Sequence, residues 1–136
     1  MSARKAVSAR KDVTARKKTA RKRKAVDVPL PGKAVRGSEG GRPIMAALDL
    51  LGRRWNLRVL WELREGPVGF RELRTRCEDM SPDTLSTRLR ELEACGLVAQ
   101  GEDRAWALTE IGRRLGDAMR SLDKWANEWA TSIDDG

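Results

Sequence analysis

The sequence has no His and no Tyr, and it has only two Cys and one Phe among its 136 residues. Without His, the commonest general base and the commonest metal ligand are absent. Two Cys provide neither a zinc site by themselves nor a disulfide framework. The sequence also shows no nucleophile–base arrangement and no Gly-rich phosphate loop. We therefore expect no enzymatic activity, no metal and no cofactor.

Long apolar runs are absent too. No stretch of about 18 apolar residues occurs, so the sequence predicts no membrane-spanning segment. Positive charge is present in excess, with 28 Lys and Arg against 20 Asp and Glu and a formal net charge of +8. Such an excess favours a polyanionic partner, with nucleic acid ahead of an anionic membrane surface.

The positive charge is concentrated at the N-terminus. Residues 1–24 consist of repeats that begin Ser-Ala-Arg-Lys or Thr-Ala-Arg-Lys, and Asp12 is their single acidic residue. The segment contains no aromatic residue, so it cannot bury enough apolar area to offset the loss of conformational entropy on ordering, which costs about 1–2 kcal/mol per residue. We predict a disordered tail that adds nonspecific affinity for DNA; a nuclear signal in residues 17–24 and a mitochondrial presequence are alternatives. The predicted tail contacts are Arg4, Lys5, Arg10, Lys11, Arg16, Lys17, Lys18, Arg21, Lys22, Arg23 and Lys24.

The rest of the chain is mostly helical in pattern, with apolar residues at steps of three and four. Gly and Pro residues divide this pattern into helices that begin near Pro43, Trp55 and Phe70. Ser81 is a good N-cap for a fourth helix, in which Pro82 suits the first position, and Gly96 is a plausible terminator.

Two short strands, 97–100 and 105–108, follow around a polar tip, and Thr109 can cap a long final helix. The sequence thus predicts a mainly α fold with a small β-hairpin, in which a short helix, a turn and a capped helix precede the hairpin. In this fold one helix can enter the DNA major groove, which is about 12 Å wide. The apolar seam of the final helix is longer than so small a domain needs for its own core.

Several segments, in order, resemble the HxlR-type winged helix-turn-helix transcription regulators. They are residues 48–63 (LDLLGRRWNLRVLWEL), Gly66-Pro67 with 70–73, the helix at 81–92, and 96–98 with 108–112. The resemblance implies a bacterial or archaeal, cytoplasmic, nucleoid-associated homodimer that binds an operator and dimerises through its first and last helices. Arg42 stands where many members carry a sensing Cys, and the wing is short, with Trp106 where members have Tyr.

These observations predict three regions: a disordered basic tail and Pro/Gly linker at 1–42, a winged-helix DNA-binding domain at 43–131 and a short flexible C-terminus at 132–136. The predicted DNA contacts are Ser81, Asp83, Thr84, Ser86, Thr87, Arg88, Arg90, Arg71, Arg74 and Arg104. The predicted dimer interface consists of Ile44, Leu48, Leu115, Leu122, Trp125 and Trp129.

Several individual roles stay open. Arg88 has a phosphate contact and an internal ion pair with a Glu as alternatives. Arg104 could enter a minor groove, although acidic neighbours weaken its field. Cys77 and Cys95 can pack as small apolar groups or sense oxidants. A small hydrophobic effector between the Trp-bearing helices is a further alternative.

Three functions remain in competition. The first is a sequence-specific, homodimeric transcriptional regulator that binds double-stranded DNA. The second is a nucleoid-associated architectural protein that has little sequence specificity and relies on the basic tail. The third uses the winged helix for protein–protein contact and the tail for another anion, such as a membrane surface.

Overall fold

The computed structural model describes residues 27–135, so the predicted basic tail and Gly136 lie outside the described residues. It confirms a mainly helical winged helix-turn-helix with one antiparallel hairpin. The elements in chain order are α1 (Pro43–Leu51), α2 (Asn56–Glu62), α3 (Phe70–Arg76), α4 (Pro82–Ala94), β1 (Val98–Gln100), β2 (Trp106–Leu108) and α5 (Glu110–Asp135).

The ends of α4 are set by local sequence. The Ser81 hydroxyl accepts a hydrogen bond from the Thr84 amide at 3.4 Å, and Pro82 occupies the first helical position. At the other end Gly96 has a φ of +80°, and the Leu97 amide donates to the Leu92 carbonyl at 3.0 Å. This is a Schellman cap, which favours glycine because its backbone is left-handed. Both predicted boundaries of this helix are confirmed.

The turn between α3 and α4 is held by the Arg74 side chain. Its Nε donates to the Met80 carbonyl at 2.6 Å, and the Asp79 amide donates to the Arg74 carbonyl at 2.9 Å. A side chain and a backbone group of one residue therefore span the turn. They fix the angle at which α4 leaves α3.

The hairpin is attached to the helix-turn-helix by a third extended segment. Its strands pair in the register Val98 with Leu108 and Gln100 with Trp106. Val68, just before α3, exchanges two backbone hydrogen bonds with Trp106, at 2.8 and 2.9 Å. The wing is thereby fixed relative to α3, and so relative to α4.

The core lies where α2, α3, α4 and the hairpin meet. Leu60, Leu73 and Leu85 are fully buried there, and α5 closes one side by packing close to the start of the hairpin. A Cβ at Gly112 would collide with the Leu97 carbonyl oxygen, so only glycine allows this approach. Thr109 caps α5, as predicted, by accepting from the Gly112 amide at 3.2 Å.

Buried Asn56 joins α2 to the end of α1, and its loss should destabilise the domain. Its Nδ2 donates to the Leu50 carbonyl at 2.9 Å, and the residue is fully buried. Asn56→Ala would leave that carbonyl without its partner, so we expect the free energy of unfolding to fall by about 1–3 kcal/mol. Urea denaturation measures this. Asn127→Ala, on the exposed surface of α5, is the control, and an equal effect in both variants would contradict the assigned role.

The structure shows how the chain continues beyond both predicted limits of the domain. Residues 27–42, predicted as a Pro/Gly linker, include buried Val28 and Pro29, and the Cys95 thiol donates to the Pro29 carbonyl at 3.6 Å. This linker packs because its few apolar residues find cover on the domain. At the other end α5 continues to Asp135, where a flexible segment from residue 132 was predicted, because no Gly or Pro occurs between Gly116 and Gly136.

Candidate nucleic-acid interface

The helix α4 presents a polar face opposite its buried apolar stripe. Leu85 and Leu89 lie in the core, whereas Ser86 and Arg90 are exposed and Thr87 is half-buried. Near the helix start, the predicted contacts Ser81 and Asp83 are exposed and Thr84 is half-buried. This alternation follows from the period of about 3.6 residues per turn. It leaves one continuous hydrogen-bonding surface along α4.

A cleft of about 580 Å³ separates this face of α4 from the wing. Ser86 and Arg90 line it from the helix, and Gln100 and Arg104 line it from the hairpin. The remaining lining residues are Gly69, Phe70, Leu89, Asp103 and Trp106. Two guanidinium groups from different elements therefore border one concave surface, an arrangement suited to an anionic partner.

The tip of the wing is held by backbone–backbone hydrogen bonds and by two hydrogen bonds between side chains and the backbone. Gln100 Nε2 donates to the Arg104 carbonyl at 2.9 Å, and the Gly101 amide donates to the Ala105 carbonyl at 2.8 Å. Asp103 Oδ1 accepts from the Ala105 amide at 3.0 Å, so this carboxylate is engaged within the tip. Arg104 has a φ of +69° and an exposed side chain. The left-handed backbone at Arg104 is part of the turn that places its side chain.

The predicted contacts on α3 divide into two kinds. Arg71 is exposed on the helix surface. Arg74 is half-buried and bonded to the Met80 carbonyl, so its first role is to hold the turn. Sequence spacing treats the two residues alike, since it does not show the carbonyl that Arg74 reaches.

Arg88 forms the internal ion pair that the sequence left as an alternative. Its Nη1 lies 3.0 Å from Glu91 Oε1, and its side chain is 22% exposed. Glu91 is itself buried and also lies 3.2 Å from Arg53 Nη1. Two arginines, Arg53 and Arg88, therefore contact one buried carboxylate. The resulting network ties α4 to the loop between α1 and α2.

Both cysteines are shielded. Burial raises the pKa of the Cys77 thiol and of the Cys95 thiol above the usual value. A raised pKa keeps a thiol protonated near neutral pH, which lowers its nucleophilicity. This favours the interpretation of both residues as small apolar groups. Among residues 27–135, no group of acidic or Cys side chains is arranged to hold a metal ion, and no helix is long and apolar enough to cross a membrane.

A second surface, on α1 and α5, is apolar. Ile44 is 59% exposed, Trp125 and Trp129 are each 54% exposed, and the two Trp rings stack with centroids 5.4 Å apart. Of the predicted interface residues, only Leu115 packs partly against the core. We call this surface the apolar face; it comprises Ile44, Leu48, Ile111, Leu122, Trp125, Trp129 and Ile133. Ile133 was missed because the predicted helical domain ended at residue 131, although it continues the helical spacing.

Comparisons with known proteins agree with this geometry. The sequence matches the family described as HxlR-like helix-turn-helix over residues 50–134. It is 32% identical over 89 residues to the uncharacterised HTH-type transcriptional regulator YvaP of Bacillus subtilis, covering 61% of this chain and 82% of YvaP.

Two solved structures are similar as well. Quinone-bound YodB of B. subtilis has a TM-score of 0.59 at 31% identity, covering 63% of this chain and 96% of YodB. A protein of Enterococcus faecalis described as a regulator of the MarR family has a TM-score of 0.61 at 31% identity, covering 69% of this chain and 91% of its own.

Proposed function

Since the chain belongs to the HxlR-like helix-turn-helix family and is a sequence-specific DNA-binding transcriptional regulator rather than an enzyme, we propose that it binds its operator as a homodimer with α4 in the major groove. The observation that carries this proposal is the exposed face of α4 beside the guanidinium of Arg104 across the cleft. Each copy would occupy one half-site, and half-sites read by such dimers lie about 34 Å apart.

The side chains on this surface have separate proposed tasks. Arg90 reads a guanine through two parallel hydrogen bonds, while Ser86 and Thr87 address neighbouring bases or phosphates. Ser81 and Thr84 lie at the start of α4, where amide groups and the helix dipole attract a phosphate.

Asp83 carries a negative charge, and two roles are compatible with its place beside bound DNA. It can accept a hydrogen bond from a cytosine amino group, or it can stabilise only the positive end of its own helix. The other proposed contacts bind the backbone: Arg71 and Arg74 bind phosphates, and Arg104 enters the minor groove. Arg88 acts through its ion pair with Glu91, which holds α4 in place.

We assign dimerisation to the apolar face. Its exposed Trp, Leu and Ile side chains form a patch of the kind that soluble monomers rarely leave uncovered. The patch lies on α1 and α5, whereas the proposed DNA contacts lie on α3, α4 and the wing. A dimer formed through α1 and α5 therefore leaves both copies of α4 free to bind. Because operators lie on the chromosome, the proposed site of action is the cytoplasm of a bacterial or archaeal cell.

The basic tail is proposed to contribute affinity without specificity, which deletion of residues 1–26 would test. Each phosphate neutralised by the protein steepens the dependence of log K on log salt by about 0.9. We expect the deletion to flatten this slope by several such increments while the preference for the operator over random DNA persists. Titrations at three or more salt concentrations measure both quantities. A tail of equal length with Gln at every Lys and Arg is the matched control, and an unchanged slope in both variants would refute the role.

The architectural alternative receives no support from the comparisons, and the specificity ratio separates it from the proposed function. A regulator should prefer an operator selected from random DNA by about 10³-fold or more at fixed salt. A ratio near one would contradict the proposal of specific recognition.

A further inference from the structure

A second cleft, of about 430 Å³, lies between the linker, α1 and the start of α5. We call it the α1–α5 pocket. Its size falls within the range of about 300–1,000 Å³ that is typical of small-molecule sites. Its lining residues are Pro29, Leu30, Pro31, Pro43, Ala46, Ala47, Leu50, Leu51, Cys95, Leu97, Ile111, Arg114 and Leu115.

The walls of this pocket are apolar apart from one charged residue. Pro, Ala, Leu and Ile side chains make up almost the whole lining, and the Cys95 thiol already donates to the Pro29 carbonyl. Arg114 is the exception. A pocket that is mainly hydrophobic, with one polar group at its edge, selects a ligand with an apolar body and a complementary head group.

The guanidinium of Arg114 is only weakly engaged by the protein. Its side chain is 71% exposed, and its Nε lies 3.8 Å from Glu110 Oε2. Glu110 is held more closely by Arg113, whose Nη2 lies 2.9 Å from Oε1. Arg114 therefore keeps N–H donors for an anion, and a planar guanidinium matches a carboxylate through paired hydrogen bonds.

We propose that the α1–α5 pocket binds a small hydrophobic carboxylate as the effector of this regulator, with the apolar body against α1 and the carboxylate on Arg114. The ligand contacts both helices that carry the apolar face, since Ala46 and Ala47 of α1 and Ile111 of α5 line the pocket and Ile111 itself belongs to that face. It also contacts Cys95 and Leu97, where α4 ends. The effector role rests on the proposed function; binding in the pocket does not.

Coupling to DNA follows from these contacts. Leu97 donates to the Leu92 carbonyl of α4, and its own carbonyl accepts from the Thr109 amide at 3.0 Å, just before α5. A ligand against Leu97 and α1 thus contacts the junction that sets α4 relative to the dimer helices. The ligand shifts operator affinity if it binds one arrangement of α4 relative to the dimer helices more tightly than another. Coupling of this kind typically changes the affinity of the second ligand by about 5–150-fold.

The test uses the full-length chain and calorimetric titration with benzoate, 1-naphthoate and octanoate, with 1-naphthamide as the uncharged comparison. We expect at least one carboxylate to bind below about 1 mM and 1-naphthamide to bind at least tenfold more weakly than 1-naphthoate. Arg114→Gln should reduce carboxylate affinity at least tenfold and leave 1-naphthamide affinity unchanged. Arg120→Gln, an exposed neighbour on α5, is the control. Ala47→Phe, which fills the pocket, should abolish binding of all four probes.

Three results would overturn the proposal: no carboxylate binds, Arg114→Gln has no effect, or Ala47→Phe dissociates a dimer without changing probe affinity. The last would make the pocket part of the subunit interface. Operator affinity is measured separately, with and without 1-naphthoate. Normal operator binding with no probe binding rejects the pocket and keeps the proposed function, whereas probe binding without any operator binding rejects the proposed function and the effector role.

Discussion

Replacing Arg90 by Ala, together with Thr87 by Ala, should remove most of the preference for the operator over random DNA. Arg90 is exposed on α4 and borders the cleft that faces the wing. A bidentate contact from Arg to guanine contributes about 1–3 kcal/mol of discrimination. A homodimer loses that contact in both half-sites, so we expect the specificity ratio to fall by about 30-fold to 10⁴-fold. Nonspecific affinity should fall much less, because the cations of the tail and Arg71, Arg74 and Arg104 remain.

Competition binding at fixed salt, between a selected operator and random DNA, measures this loss. Arg120→Ala is the matched control, because Arg120 is an exposed arginine on α5 whose Nη1 lies 3.3 Å from Asp117. Arg90→Lys separates charge from geometry, since Lys keeps the charge but not the planar pair of donors. Unchanged discrimination in the double Ala variant would show that α4 does not read the bases through this face.

The contrast between Arg90 and Arg88 shows what sequence spacing can and cannot resolve. Both residues were among the predicted DNA contacts, and Arg88 had an internal ion pair with a Glu as an alternative. The structure pairs Arg88 with Glu91, which is also bound by Arg53, 38 residues earlier in the chain. A local pattern contains the pair of Arg88 and Glu91 but not the distant arginine that completes it.

The caps of α4 and the position of the hairpin were predictable because they depend on neighbouring residues. Ser81 caps its own helix, and the turn at Gly96 ends it through amide hydrogen bonds that reach back three residues, from Gly96 to Glu93, and five residues, from Leu97 to Leu92. The packing of the linker was not predictable in this way. It depends on the contact between Pro29 and Cys95, which are 66 residues apart. The Pro and Gly residues predicted a linker, but they did not show the surface against which it packs.

The two surfaces make separable demands on the chain. The proposed DNA contacts are polar and lie on α3, α4 and the wing, whereas the apolar face lies on α1 and α5. A substitution on the apolar face should therefore affect DNA binding only through the oligomeric state. This separation makes the role of the dimer testable without touching the DNA contacts.

Trp125→Glu should convert the proposed dimer to monomers and reduce operator affinity by about 100-fold or more. Trp125 is half-exposed in the single chain and stacks on Trp129, so in a dimer its ring would be covered by the partner. An unpaired carboxylate in that position loses its hydration, which is costly in an apolar interface. A monomer keeps only one half-site of contacts. Dissociation constants for specific DNA binding are typically about 10⁻⁸–10⁻¹¹ M, so a fall of this size can be measured.

Sedimentation velocity gives the oligomeric state, and operator titration gives the affinity, of the same Trp125→Glu preparation. Asn127→Glu is the control, because it adds the same carboxylate about 200° around the same helix, away from the apolar face. Trp125→Phe keeps an aromatic ring and should retain the dimer. If Trp125→Glu stayed dimeric, or became monomeric with operator affinity unchanged, the link between the apolar face and operator binding would be lost. If Asn127→Glu also dissociated, the effect would belong to the charge of α5 rather than to this face.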